Sequence, residues 1–223
     1  MDALEKQLAE VSEQRGAEWH SHRIGRFTSS EMHRLMTEPR SRSEILSAGA
    51  KTYVLEKASE LITGLPCKMI DSAATSWGIE HEDSARHMFI KKTGLIVDAV
   101  GFCPYGDYAG GSPDGMIHDE LAGIEIKCPF NSANHVDHLL ISGQDSLKAD
   151  FREYYWQIQS NIFFTDSDHW YFVSFDPRFP ESERIFIMKI YRNEEDIKRV
   201  DDKIKLASDY LNDVIIKLKT KKL

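Results

Sequence analysis

Gly110-Gly111-Ser112-Pro113-Asp114-Gly115 and Gly123-Ile124-Glu125-Ile126-Lys127 read as a tight turn and a strand in the middle of a 223-residue chain. The glycines and the proline permit a turn that presents Asp114 at the start of a strand. In the second segment the alternation of an extended chain puts Ile124 and Ile126 on one face and Glu125 and Lys127 on the other. Two residues of rise separate Glu125 from Lys127 by about 7 Å. If the two strands pair, two carboxylates converge with a lysine beside them. Hard oxygen ligands of this kind suit Mg²⁺, which keeps several waters and takes phosphate oxygens as further ligands. The same three residues also fit a plainer reading, a turn aspartate beside an exposed Glu–Lys strand pair.

Working outward, the first half of the chain is predicted to be helical. Ser43 with Glu44 starts a helix that runs to Thr63, where Gly64 and Pro66 stop it. A second helix spans Ala73 to Thr93 and ends at Gly94. Its Ile79, Met88, Phe89 and Ile90 are expected to face the core, and Glu82 lies one turn from Arg86. Strands are predicted over Leu95–Cys103, Gly115–His118 and Ala122–Lys127, then a helix over Phe151–Phe164. Further strands are expected over His169–Asp176 and Arg184–Tyr191, and Asn193 caps a long C-terminal helix. With no repeat or linker to divide it, the sequence predicts one domain over residues 1–223. The order of elements predicts an α/β fold, a mixed central β-sheet flanked by helices.

Composition narrows the class. Hydrophobic residues at 41% and charged residues at 29% are those of a globular chain. No apolar run approaches the roughly 18 residues of a membrane span, and Met1 to Glu13 lacks a signal-peptide pattern, so a cytoplasmic protein is expected. Cys67, Cys103 and Cys128 give neither a disulfide framework nor a CxxC zinc pair. The nine histidines show no HExxH spacing, which argues against a zinc enzyme. A formal charge of −8 excludes a uniformly basic surface but not local clusters. Between His20 and Ser43 lie five arginines, Arg23, Arg26, Arg34, Arg40 and Arg42, against two acids, Glu31 and Glu38. Lys217, Lys219, Lys221 and Lys222 near the C-terminus are expected to complement a terminal helix dipole.

Several separate motifs stand in one order along most of the chain. They are Trp19-His20, Arg23-Ile24-Gly25, Thr28-Ser29-Ser30-Glu31, Pro39-Arg40-Ser41, Trp77-Gly78 with Glu82, and Ser112-Pro113-Asp114-Gly115. Glu125-Ile126-Lys127-Cys128-Pro129-Phe130, Gln157-Ile158-Gln159, Trp170-Tyr171-Phe172 and Asp176-Pro177-Arg178 follow. In this order they resemble bacteriophage lambda exonuclease and the YqaJ-type viral recombinases, a branch of the PD-(D/E)xK nucleases with a restriction-endonuclease-like core.

The resemblance implies roles. Asp114 and Glu125 would hold Mg²⁺, for which Mn²⁺ is a plausible substitute, with the backbone carbonyl of Ile126 as a further ligand. Lys127 would activate or position the attacking water, Glu82 would complete the site directly or through a water, and Gln157 would stand beside it with Tyr154 one helical turn away. Arg23, Ser30 and Arg40, with Ser112, would receive the 5′-phosphate of the strand being degraded; fork-shaped donors and hydroxyls suit that anion. Each residue has a bland alternative: Glu82 paired with Arg86 on an exposed face, Gln157 on a helix surface, Arg40 solvated in a loop, Ser30 a helix cap. Trp77, Trp156 and Trp170 are assigned to core packing. Two departures stand out: the Asp114–Glu125 gap is one residue longer than in lambda exonuclease, and Thr75 occupies the place of an apolar residue that helps split the duplex end.

The activity implied is a 5′-to-3′ exonuclease on linear double-stranded DNA, releasing mononucleotides and leaving a 3′ single-stranded overhang for homologous recombination. A homotrimeric ring and a single-strand annealing protein as partner belong to the same expectation. The alternatives are an endonuclease on the same fold and a non-catalytic DNA-end-binding scaffold.

Overall fold

The computed structural model describes residues 21–41, 43–67 and 72–221. Trp19, His20, Arg42, Lys222 and the Met1–Glu13 segment of the sequence reading lie outside them.

The catalytic-looking strand sits at the centre of a five-stranded sheet. In chain order the strands are β1 (Phe27–Thr28), β2 (Val97–Asp98), β3 (Cys103–Tyr105), β4 (Ala109–Gly111), β5 (Gly115–Ile117), β6 (Ala122–Lys127), β7 (His169–Phe175) and β8 (Ile185–Tyr191). The helices are α1 (Ala48–Thr63), α2 (Ala73–Thr93), α3 (Ser132–Leu139), α4 (Gln144–Asp150), α5 (Arg152–Phe164) and α6 (Glu194–Thr220), with a 3₁₀ helix over Ser29–Arg34. The large sheet runs β2-β5-β6-β7-β8 and is mixed: β6 and β7 are parallel, and the other pairings are antiparallel. β1, β4 and β3 form a separate three-stranded sheet, β1 parallel to β4. The parallel step needs a long crossover, and α3, α4 and α5 fill it.

Alternation along β6 splits the core as its sequence implies. Ile124 and Ile126 join Phe89 of α2, Val97, Ile117, Tyr171 and Val173 in a smaller apolar cluster on one face. The larger cluster holds Trp156, Ile158 and Ile162 of α5, Trp170 and Phe172 of β7, and Tyr53 and Val54 of α1. Gly123 stands against the Trp170 indole, whose ring carbons would lie 2.4 Å from a Cβ there. That contact explains a glycine inside a central strand. Along α6 the buried Ile197, Val200, Ile204, Ala207 and Leu211 recur at three- and four-residue steps, so one stripe of a long polar helix packs inward. Asn193 caps it, its side chain accepting from Asp196 N at 3.0 Å.

Four expectations are corrected. α1 begins at Ala48 rather than near Ser43, because Ser47 provides the cap, accepting from Ala50 N at 3.2 Å. The predicted Leu95–Cys103 strand is two short strands in different sheets, with residues 99–102 between them outside any ladder. Ile79 is not in the core but 45% exposed. Trp77 is half-buried, edge-on to His81 and Phe130 and beneath the Arg178 guanidinium, while Trp156 and Trp170 are in the core. Helices α3 and α4 were not anticipated; both are short, and the buried face of α3 is made of His135 and His138 rather than aliphatic residues.

Among the described residues no helix is long and apolar enough to cross a membrane.

Candidate active site

Strand pairing and one buried helix bring the sequence-predicted residues together. β5 begins at Gly115, opposite Ile124, so antiparallel β6 runs on past its partner. The Asp114 side chain takes over the edge: its Oδ2 accepts from Ile126 N at 2.6 Å. The N–H and C=O of one residue in a strand point to the same edge. The Ile126 carbonyl therefore faces Asp114 as well. α2 holds the turn from the other side, since Arg86 Nη2 donates to the Asp114 carbonyl oxygen at 2.9 Å and to Glu82 Oε1 at 3.0 Å.

On the opposite face of β6, Glu125 is 2% exposed. Its Oε1 accepts from Lys127 Nζ at 2.8 Å and its Oε2 from Asn161 Nδ2 at 3.2 Å. Lys127 Nζ also donates to Gln157 Oε1 at 3.0 Å and lies 4.8 Å from the centroid of the Tyr154 ring. Gln157, Tyr154 and Asn161 all come from α5, three and four residues apart on one helix face. The lysine is thus held on three sides, by a carboxylate, an amide oxygen and an aromatic face.

The electrostatics are those of a site short of positive charge. Burial, then Glu125 and Glu82, push the Asp114 carboxyl well above the usual carboxylate range. Burial also raises Glu125, against the opposing pull of Lys127. Burial alone would lower Lys127, but the Glu125 and Asp114 carboxylates outweigh it and hold the ammonium firmly protonated. Two desolvated carboxylates and a backbone carbonyl are a hard-oxygen donor set, and its surplus negative charge fits a divalent cation of the Mg²⁺ type. Among the described residues no group of three or more His, Cys, Asp or Glu side chains is arranged to hold a metal ion; Glu82 is paired with Arg86 at 3.0 Å. The Cys128 thiol is pushed up to about 12 by burial and the surrounding acids, which makes it a poor nucleophile.

One cleft of about 810 Å³ joins this centre to the arginine segment. Arg23, Ser30, Ser112, Asp114, Glu125, Ile126, Lys127 and Gln157 all line it. Arg23 Nη1 donates to Ser112 Oγ at 3.1 Å and Nη2 to Ser30 Oγ at 3.4 Å. Burial is the leading influence on this guanidinium and lowers its pKa. Two other cations of the wall are neutralised locally: Arg34 Nη1 and Nη2 reach the two Glu56 oxygens at 2.6 and 2.9 Å, and Lys57 binds Glu60 at 2.9 Å. Thr75 and Ile79 of α2 line the same cleft.

Of the predicted residues, Arg40 alone is set apart: it is exposed and does not line the cleft. Tyr154 reaches the centre through Lys127. Ser30 is not a helix cap, because Thr28 precedes the 3₁₀ helix and makes no side-chain cap. Glu82 does pair with Arg86, yet both side chains are largely buried. Gln157 is buried rather than on a helix surface. Sequence reasoning missed Arg86 as the tether of the Asp114 turn and Asn161 as the second partner of Glu125. Their spacing carried the signal, Arg86 one turn beyond Glu82 and Asn161 one turn beyond Gln157.

Two carboxylates and a lysine on a mixed sheet thus open onto a cleft that also holds Arg23, and the fold that carries them is shared with known nucleases. The model of the YqaJ-like viral recombinase domain matches residues 18–168, about two thirds of the chain. An alkaline exonuclease from Laribacter hongkongensis superposes with a TM-score of 0.79 at 30% identity, over 93% of this chain and 98% of that one. The same relative in complex with dAMP gives a TM-score of 0.79 at 31% identity, with the same coverage. A phage-related exonuclease from Haemophilus somnus shares the fold, with a TM-score of 0.74 at 18% identity over 86% of this chain and 96% of that one. No curated protein sequence matches the chain. The chain belongs to the YqaJ-like viral recombinase domain family, and it is a nuclease.

Proposed function

We propose that the chain is a divalent-cation-dependent exonuclease that degrades one strand of linear duplex DNA 5′ to 3′ from a 5′-phosphorylated end. It would release mononucleotides and leave a 3′ single-stranded overhang for recombination. The observation that carries this reading is the shared cleft, in which Arg23, Ser30 and Ser112 stand on the same wall system as Asp114, Glu125 and Lys127. An anion-binding corner beside a hydrolytic centre suits a substrate with a terminal phosphate. That the Laribacter relative binds dAMP supports a mononucleotide product.

Asp114, Glu125 and the Ile126 carbonyl would hold Mg²⁺, with Mn²⁺ able to replace it. The bound cation would polarise the scissile phosphate and lower the pKa of a water. Lys127, a firm cation tied to Glu125 and Gln157, is suited to orient the attacking water and the phosphate rather than to abstract a proton. Gln157 and the Tyr154 ring fix its Nζ, and Glu82 acts through Arg86 and the Asp114 turn. Arg23 with Ser30 and Ser112 would grip the terminal phosphate, and Arg40 would reach the DNA from outside the cleft. On this reading the enzyme works in the cytoplasm of a bacterial host, as a homotrimeric ring around DNA, with a single-strand annealing protein as partner.

The test offers linear 5′-phosphorylated, linear 5′-hydroxyl and closed circular duplexes with Mg²⁺ to the wild type, Asp114→Ala and Arg23→Ala. Mononucleotide release is expected from the phosphorylated ends, abolished by Asp114→Ala, with the preference for phosphate over hydroxyl lost in Arg23→Ala. Cutting of circles would instead make it an endonuclease.

A further inference from the structure

Asn161 is fully buried on α5, and the mechanism above makes no use of it. A carboxylate oxygen can only accept, so the amide nitrogen must be the end that meets Glu125 Oε2. The other end, Oδ1, is then buried with no hydrogen-bond partner among the described residues. A polar atom left in that state in a close-packed core calls for a reason, because ordinarily such groups are satisfied. The amide is also wedged. A Cβ on Gly111 would lie 2.3 Å from Asn161 Oδ1 and 2.9 Å from Ser29 Oγ, so only glycine lets β4 pass the amide at this distance. Backbone from one sheet therefore presses the amide against a carboxylate in the other.

We infer that Asn161 is a positioning residue that locks the Glu125 carboxylate in its cation-binding orientation, with Gly111 as the backbone stop that keeps the amide in place. Lys127 and Asn161 hold one oxygen of Glu125 each. The carboxylate plane is thereby set before any cation arrives, and preorganised ligands bind with less to reorder. The unpartnered Oδ1 follows from that geometry, since the amide cannot turn to satisfy it without releasing Glu125. This inference rests on the reading of Asp114 and Glu125 as cation ligands, and the experiment separates the two.

Binding of Mn²⁺ to the protein without DNA is measured by calorimetry for wild type, Asp114→Ala, Asn161→Ala, Gly111→Ala and Ser160→Ala, each with a thermal melt. Ser160 is the control, a buried α5 residue whose hydroxyl donates within the helix to the Trp156 carbonyl at 2.7 Å. The expected result is a five- to fifty-fold weaker Mn²⁺ affinity in Asn161→Ala and in Gly111→Ala, with Ser160→Ala unchanged. With saturating Mn²⁺, kcat on 5′-phosphorylated duplex should recover in Asn161→Ala while KM for DNA stays at the wild-type value. If Asn161→Ala melts lower but binds Mn²⁺ as wild type does, the residue is only structural and the inference is overturned. Should Gly111→Ala not fold, Asn161→Ala alone decides. Failure of wild type to bind Mn²⁺, or equal binding by Asp114→Ala, would remove the cation site itself and the inference with it.

Discussion

Lys127 shows how far a single residue's chemistry depends on its neighbours. In water its ammonium would be a generic cation. Here burial works against the charge, and two carboxylates overrule burial. Replacing it with methionine keeps much of the stem's volume and removes the charge, so Lys127→Met should lower kcat by roughly 10²–10³-fold, the usual scale for losing one preorganised donor to developing charge. Mn²⁺ binding should weaken, because Glu125 loses one of its two clamps, but persist, because Asp114 and Glu125 remain. Steady-state kinetics on a 5′-phosphorylated duplex beside calorimetry check both halves; a loss smaller than threefold would remove Lys127 from the chemistry. That Glu125 and Lys127 share a face was legible from strand alternation. That Gln157, Tyr154 and Asn161 complete their surroundings was not, because those contacts span about 30 residues of chain and depend on how α5 crosses the sheet.

At the scale of elements, α3 is joined to β7 by a polar relay whose protons can be assigned. The Glu183 carbonyl can only accept, so His135 Nε2, at 2.8 Å, is the donor. In the neutral ring Nδ1 then accepts from the Ser174 hydroxyl at 2.8 Å, leaving Ser174 Oγ to accept from His138 Nδ1 at 2.8 Å. His138 lies edge-on to Phe151, Tyr154 and Phe172, and burial, with His135 and Lys127 nearby, lowers its pKa to about 4. The folded form therefore keeps the ring neutral. Below the ordinary value of about 6.5 the unfolded chain takes up the proton first, so stability falls from there down to about pH 4. The depression corresponds to at most about 3 kcal/mol. Thermal melts between pH 8 and 4 should therefore show a flatter profile for His138→Phe than for wild type; identical slopes would mean that His138 does not titrate in this window. The opposite pull of Asp114 and Glu125 cancels in that comparison. Helix α3 escaped the sequence reading because its buried face is histidine, a pattern that hydrophobic periodicity does not register.

For the whole molecule, a net charge of −8 and a substrate of the same sign must be reconciled. Acidic groups on the outside are compatible with DNA binding when cations are concentrated where phosphates sit. A closed ring would achieve this by enclosing the DNA, and heterologous contacts close into such rings under cyclic symmetry. Light scattering on the purified protein should accordingly give three chains per particle. A monomer at micromolar concentration would sink the ring.

What the sequence determined by itself is local. Periods of two and about 3.6 located β6, α2, α5 and α6, Asn193 marked the start of α6 and Gly64 and Gly94 the ends of α1 and α2, and the order of the motifs carried the family. Asp114, Glu125 and Lys127 could be named because a turn and an alternating strand are short-range geometry. Only the tertiary structure decided which edge Asp114 closes, that β6 and β7 run parallel, that a second sheet brings Gly111 against Asn161, and that Arg23 opens onto the same cleft while Arg40 does not. Those outcomes depend on packing between segments distant in sequence. There, excluded volume and the need to pair buried charge select one arrangement from many that the local pattern would allow.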